Sequence, residues 1–393
     1  MYIAIAALLF APSLAILHKS KPKTTTASLQ HPEVIITAHS VHGDSQPTPD
    51  VVTNQTPGPV EVPIITPEIE PKKEFGVSIN GLNGKTEAQI KAKFDDIAQL
   101  GFTQVRIDFP WYRLQPHNAQ TYTWGEYDKI VKLALQAKLK VLGIIGYTPE
   151  WARRPECKDK YACPPANNGQ FAAFAGATAT HFRDSVHQWE VWNEENANNF
   201  WPPYSNARQY AELLKVTYPA IKAKNPNAKV IIGGMVASSK EDAKSQDPIA
   251  FLTQIYVSGG KGNFDAVGYH PYTFPSGATE NSNAWLKMTA NKDNLLSVMQ
   301  ANGDGDKQIW MTEYGAPTNG PRGSIYVSED RQAQLAAQAF AAVQDRTWAG
   351  PLFWYGYQDP SNSLSTKENF YGFKRADGQP KPAYQTWQSL LKK

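Results

Sequence analysis

The sequence predicts an α/β fold, a (β/α)8 or TIM barrel, preceded by a disordered N-terminal tail. Three observations carry this. From residue 74 onward strand-like and helix-like segments alternate, the strands number eight, and about 320 residues is a length such a barrel takes. A doubly wound open sheet would alternate too, but no G-x-G-x-x-G or phosphate-binding loop follows the first strand. The expected division is 1–19 as signal peptide or signal anchor, 20–73 as linker and 74–393 as barrel.

Met1 to Leu17 is apolar and uncharged, then His18, Lys19, Lys21 and Lys23 follow. Its length sits at the short edge of what spans a bilayer, and Ser13-Leu14-Ala15 offers a small-x-small cleavage site. Export is therefore expected, secreted or held on the outer membrane face. Basic residues after rather than before the apolar run leave cleavage and anchoring both open. Between Phe10 and Phe75 there is no aromatic residue, while Pro, Thr and Ser recur (PTPD, TPGP, EVPIITPEIEP). Such a stretch buries too little apolar surface to offset its chain entropy, so it reads as a disordered tether.

The strands begin near Phe75, Thr103, Lys140, His187, Lys229, Phe264, Gln308 and Pro351. Thr86 with Gln89 forms a capping box, Ile90, Phe94, Ile97 and Leu100 mark one helical face, and Gly101 stops that helix. Tyr210, Leu213, Leu214, Thr217 and Ile221 repeat the spacing after the fourth strand. Helices are also expected over Lys287 to Gln300, Gln332 to Val343 and Pro382 to Leu391.

Lys and Arg number 39 against 36 Asp and Glu, a formal charge of +3, and the basic residues are scattered, so nucleic acid is not an expected partner. The two cysteines, Cys157 and Cys163, share the loop RRPECKDKYACPP. A local disulfide fits an exported chain, with free thiols as the other reading. The barrel segment holds only His117, His181, His187 and His270, with no H-x-H, so no metal is expected, and nothing implies an organic cofactor. Oligomeric state is left open.

In a barrel of this kind chemistry sits at the carboxyl ends of the strands. The fourth strand ends in VHQWEVWNEEN and the seventh in KQIWMTEYGAP, so each terminates in a carboxylate, Glu194 and Glu313. Cleavage of a glycosidic bond needs such a pair, one acid to protonate the leaving oxygen and one carboxylate to attack or to activate water. Strand alternation places Glu190, Trp192 and Glu194 on one face and Trp189, Val191 and Asn193 on the other. For Asn193 and Glu194 to share a substrate, the strand must therefore end in a bulge or irregular peptide. Glu190, about 13 Å below Glu194, reads as a buried structural acid. Arg106, inside the second strand, needs an acidic partner. Glu313 would be kept ionised by it, while Glu190 or Asp108 would serve equally well; Glu194, backed by Trp, would be poised to stay protonated. Other strand-end candidates are Asn80, Tyr147, Trp151, His270, Tyr272 and Trp354. Trp111, Trp151, Phe200, Trp201 and Trp285 are candidate sugar platforms.

The pairing of Trp192-Asn193-Glu194 with Thr312-Glu313-Tyr314-Gly315 resembles the clan A retaining glycoside hydrolases, most of all the family 39 and family 5 barrels. These include barrel endoglycosidases encoded beside bacterial exopolysaccharide pathways. The likeness runs from Phe75 to the C-terminus. It implies Glu194 as acid/base and Glu313 as nucleophile, with Asn193 on the sugar 2-hydroxyl. It also implies Arg106 and Tyr272 flanking the nucleophile, and Trp354 flooring the subsite for the cleaved sugar. Two departures stand out. Glu195 occupies a position that is usually Pro, an extra charge that could tune Glu194 or bind substrate. The chain also ends with its barrel, which disfavours an exo-acting xylosidase. The expected substrate is a β-linked poly- or oligosaccharide. The rival readings are a non-catalytic glycan-binding barrel at the cell surface and a metal-dependent hydrolase.

Overall fold

The computed structural model describes residues 73–237, 244–280 and 282–392. The expected signal segment, and all of the expected linker except Lys73, lie outside the described residues. Among the described residues no helix is long and apolar enough to cross a membrane.

Eight parallel strands close into a barrel in chain order: β1 (Phe75–Ser78), β2 (Gln104–Pro110), β3 (Lys140–Gly146), β4 (Gln188–Val191), β5 (Lys229–Val236), β6 (Ala266–His270), β7 (Ile309–Tyr314) and β8 (Ala349–Tyr355), with β8 pairing back onto β1. Each starts within two residues of its sequence-predicted position. Around them lie α1 (Glu87–Leu100), the short α2 (Trp111–Leu114), α3 (Gly125–Gln136), α4 (Asn168–His181), α5 (Ala207–Lys222), α6 (Pro248–Val257), α7 (Asn283–Thr289), α8 (Leu295–Ala301), α9 (Glu329–Val343) and α10 (Pro382–Leu391).

The local signals act as expected at α1. The Thr86 side chain accepts from the Gln89 amide, the Gln89 side chain answers the Thr86 amide, and Gly101 takes φ 104° to end the helix. The segment expected to be one helix over Lys287 to Gln300 is two, because Asn294 caps a fresh start, accepting from the Ser297 amide at 2.8 Å. Helix α4 had no legible helical period: Phe171, Ala172, Phe174, Ala175, Gly176, Thr178 and Ala179 are all buried, so apolar residues occupy nearly every side.

Two apolar compartments result. The larger fills the space between strands and helices, and includes Val105, Phe109, Trp189, Tyr314, Trp354 and Trp387. The smaller, Leu142, Ile231, Ala266, Trp310 and Phe353, joins strands from across the ring and plugs the barrel's interior. Interior positions above that plug carry Ser78, Arg106, Glu190, His270 and Thr312, all buried. A polar network in that position must satisfy itself.

Candidate active site

Strand alternation fails at two points, and both failures aim a carboxylate into the mouth. At the end of β4, Trp192 takes φ 76° and Glu194 φ 51°, left-handed values that L side chains adopt only when the surroundings enforce them. Trp192, expected on the face of Glu190, is turned outward against Phe171 and Trp201. Asn193 is thereby turned inward, where its amide oxygen accepts from Arg106 at 2.7 Å. The irregular peptide expected from sequence is present. Neighbouring strands pin it: the Glu194 amide donates to Gly234 O at 3.2 Å, and the Asn196 side chain donates to Val236 O and Gln246 O, each at 2.9 Å. Tyr210 ties Val191 O, at 2.6 Å, to the Gly233 amide, at 2.9 Å.

The second failure lies in β7, whose register against β8 shifts between Met311 and Tyr314. Tyr314 turns outward onto Trp285 and Trp354, and Glu313 turns toward the mouth.

Arg106 organises the floor. Its guanidinium donates to Glu190 at 2.6 and 3.2 Å, to Glu313 at 2.5 Å, to Asn193 at 2.7 Å and to Ser78 at 3.2 Å. Two of the three partners weighed from sequence, Glu190 and Glu313, are thus engaged together. Glu190 is fully buried and also accepts from Thr312 at 3.0 Å and from the Gly234 amide at 2.8 Å, so it holds the arginine in place.

Glu313 receives a second donor, the Tyr272 hydroxyl, at 2.8 Å. Burial by itself would favour the neutral acid. The fields of His270 and Arg106, with hydrogen bonds from Tyr272 and Arg106, outweigh it and hold the carboxyl below its usual range. His270, fully buried, places Nδ1 2.9 Å from Glu194 and 3.6 Å from Glu313, with Nε2 3.1 Å from the Thr312 hydroxyl. Carboxylate oxygens of Glu194 and Glu313 and a ring nitrogen of His270 all lie within 4.8 Å of one another. That spacing could seat a cation, a cluster that sequence gave no reason to expect. The Arg106 guanidinium already occupies one side of Glu313, so the pair has the build of two carboxyls facing one reacting atom. Separations near 5 Å suit double displacement, whereas inversion needs about 6.5 Å or more to admit a water.

These groups open into a cleft of about 580 Å³. Asn80, Arg106, Asp108, Tyr147, Asn193, Glu194, Tyr272 and Glu313 line it, all of them strand-end positions expected from sequence. Asp108 is pushed up to about 6, by burial first and then by the charges of Glu313 and Glu190, against the pull of Arg106.

Several expectations are corrected. Trp354 does not line the cleft: it is fully buried on the helix side of β8, against Tyr314 and Trp387. Its neighbour Tyr355 takes the place at the mouth. Trp111 is fully buried, stacked on Phe174 with its ring nitrogen bonded to Gln115 at 2.6 Å, and Trp151 packs edge-on against it and bonds to Gln115 O. Trp201 and Trp285 are core residues too. Of the five platform candidates only Phe200 reaches the cleft. Glu195 does not line the cleft: it is fully buried beside Gly233, and burial pushes its carboxyl well above the usual range.

The aromatic walls that sequence reasoning missed are Tyr161, Phe274, Tyr355 and Tyr371, with Lys367 and Glu368 at the rim. All but Tyr355 come from loops, where no period marks a face. Cys157 and Cys163 form a disulfide that closes the loop carrying Tyr161.

Comparison with known proteins bears on the fold and the family. A curated β-xylosidase of Geobacillus stearothermophilus is 27% identical over 163 residues, 39% of this chain and 31% of the relative, so the match spans about a third of that protein. A family 39 glycoside hydrolase from Bacteroides cellulosilyticus WH2 superposes with a TM-score of 0.66 at 23% identity, over 81% of this chain and 64% of the other. The GH5_18 enzyme from Streptomyces cattleya, solved with GlcNAc, superposes at 0.62 with 18% identity, over 82% of this chain and 80% of the other. At these identities the two structures bear on the fold alone. The model of the cellulase family covers residues 68–355, and with most of the barrel inside that match the chain belongs to glycosyl hydrolase family 5, a family of glycoside hydrolases.

Proposed function

We propose that the barrel hydrolyses a β-linked poly- or oligosaccharide with retention, Glu313 acting as nucleophile and Glu194 as acid and then base. The observation that carries this is the approach of the two carboxyls to within 4.8 Å. Glu313 attacks the anomeric carbon as Glu194 gives its proton to the departing glycosidic oxygen, and the C–O bond to the leaving sugar breaks. Glu194, now a carboxylate, takes a proton from water. The hydroxide so formed displaces Glu313 from the anomeric carbon and leaves both residues as they began.

Arg106 and Tyr272 keep Glu313 ionised and aimed, and Asn193, turned inward beside Arg106, is the residue this reading assigns to the sugar 2-hydroxyl. Cleavage within chains of an extracellular polysaccharide, by an exported enzyme, fits an open cleft rimmed with tyrosines and an apolar leading segment. Replacing Glu313 by Gln tests the reading. Turnover of an aryl β-glycoside is expected to fall by about 10⁴-fold or more with the unfolding temperature little changed. Full activity in that variant would remove Glu313 from the role of nucleophile, and no hydrolysis of any β-glycoside by the native chain would leave only glycan binding.

A further inference from the structure

A second groove, of about 790 Å³, lies between the outer side of α1 and the segment after β8. It is continuous with the cleft. A depression of about 170 Å³ between them shares Asn80, Tyr355, Glu368 and Tyr371 with the cleft, and Asn80, Gly81, Lys93 and Tyr357 with the groove. A chain leaving the cleft past Asn80 would therefore run into it.

The charges of the groove do not balance. Lys85, Lys93 and Lys374 face Asp96 and Asp359 along its walls. Asp359 is taken by the buried Lys381 at 2.8 Å. Asp96 is taken by Lys374 at 3.1 Å and by the hydroxyls of Tyr357 and Tyr384 at 2.5 and 2.6 Å. Lys85 and Lys93 are left over, with no ion-pair partner among the described residues. Lys93 is half-buried, donates only to the neutral Gln358 side chain at 2.9 Å and lies 4.9 Å over the Tyr357 ring. Burial, then repulsion from Lys85 and Lys374, holds its ammonium below the ordinary value, so the groove carries positive potential.

We propose that this groove is a distal binding site for an anionic glycan, holding a carboxylate-bearing sugar of the bound chain between Lys85 and Lys93. The inference rests on the cleft being where a polysaccharide is cleaved, because continuity with the cleft is what makes the occupant a glycan. A neutral chain would cover Lys93 without compensating its charge, whereas a carboxylate supplies the missing partner.

The test measures binding rather than turnover. The Glu313→Gln chain is run by affinity electrophoresis through glucuronoxylan and through the same polymer with its carboxyls reduced. Retardation by the acidic polymer is expected to be about fivefold stronger. Adding Lys85→Gln and Lys93→Gln should erase that preference, with the unfolding temperature maintained, and salt at about 0.5 M should shrink it. Equal retardation by both polymers, none by the acidic one, or a preference that survives the lysine substitutions would overturn the proposal. A native chain that hydrolyses no glycoside while the charge preference stands would instead sink the cleavage reading and leave the groove.

Discussion

Two carboxyls near Arg106 shift in opposite directions although its charge pulls both down. Glu313 touches the guanidinium and is held below its usual range, whereas at Asp108 burial, helped by the negative charges of Glu313 and Glu190, outweighs the pull of Arg106 and raises the carboxyl from 3.8 to about 6. Folding thus disfavours ionised Asp108. Its contribution to stability is most favourable below the unfolded value, declines as pH rises from about 4 through about 6, and is flat above. Asn does not titrate, so the advantage of an Asp108→Asn variant should widen over that window by about 1–3 kcal/mol. Urea unfolding of both proteins at pH 4, 5, 6 and 7 measures it, and a constant gap would show that folding does not raise the Asp108 carboxyl. At this scale the sequence was legible where one residue demands another. A buried arginine needs acids, and Arg106 found two of those weighed for it. Trp354 and Tyr355 were not legible, because a run of adjacent aromatics in β8 does not say which of two neighbours faces the mouth.

Both strand ends that deliver the acids depend on β5, whose register against β6 shifts between Ile232 and Met235 to admit Gly233 and Gly234. A Cβ on Gly234 would lie 1.9 Å from His270 Nε2 and 2.6 Å from Thr312 Oγ1, two side chains packed against Glu190 and Glu194. Gly234→Ala must therefore displace His270, the group beside both carboxyls, and is expected to destabilise the fold by about 1–3 kcal/mol. Turnover should fall by about 10²-fold, the usual consequence of roughly 1 Å of misplacement. Thermal unfolding alongside turnover of an aryl glycoside separates the two effects. A folded variant with native turnover would mean that His270 has no part in positioning Glu194. The capping box of α1 and the strand starts could be read because each is a local pattern. The irregular end of β4 could be inferred, since Asn193 and Glu194 could not otherwise meet. The shift in β7 could not: Glu313 was placed at a strand end, and only pairing with β8 reveals that its parity had to change.

Closure of the ring turns these local breaks into one site. β4 and β7 are separated by β5 and β6, and their acids are 119 residues apart, the difference between positions 194 and 313. Nothing in either motif sets the distance between them; the ring of eight strands does, through strand count, tilt and stagger. The spacing has a stereochemical consequence that holds for any sugar in the cleft. An oxygen of each carboxyl lies within 4.8 Å of the other, the close spacing that suits the proposed direct attack by a carboxylate, in which two inversions return the original configuration. Proton NMR of a β-glycoside digest should therefore show the β-anomer as the first-formed product, with the α-anomer growing in only by mutarotation. An α-anomer at the earliest times would require the two carboxyls to stand about 2 Å or more further apart during catalysis. That would mean a barrel mouth that opens, and the fixed contacts of Glu194 with Gly234 and His270, and of Glu313 with Arg106 and Tyr272, argue against it.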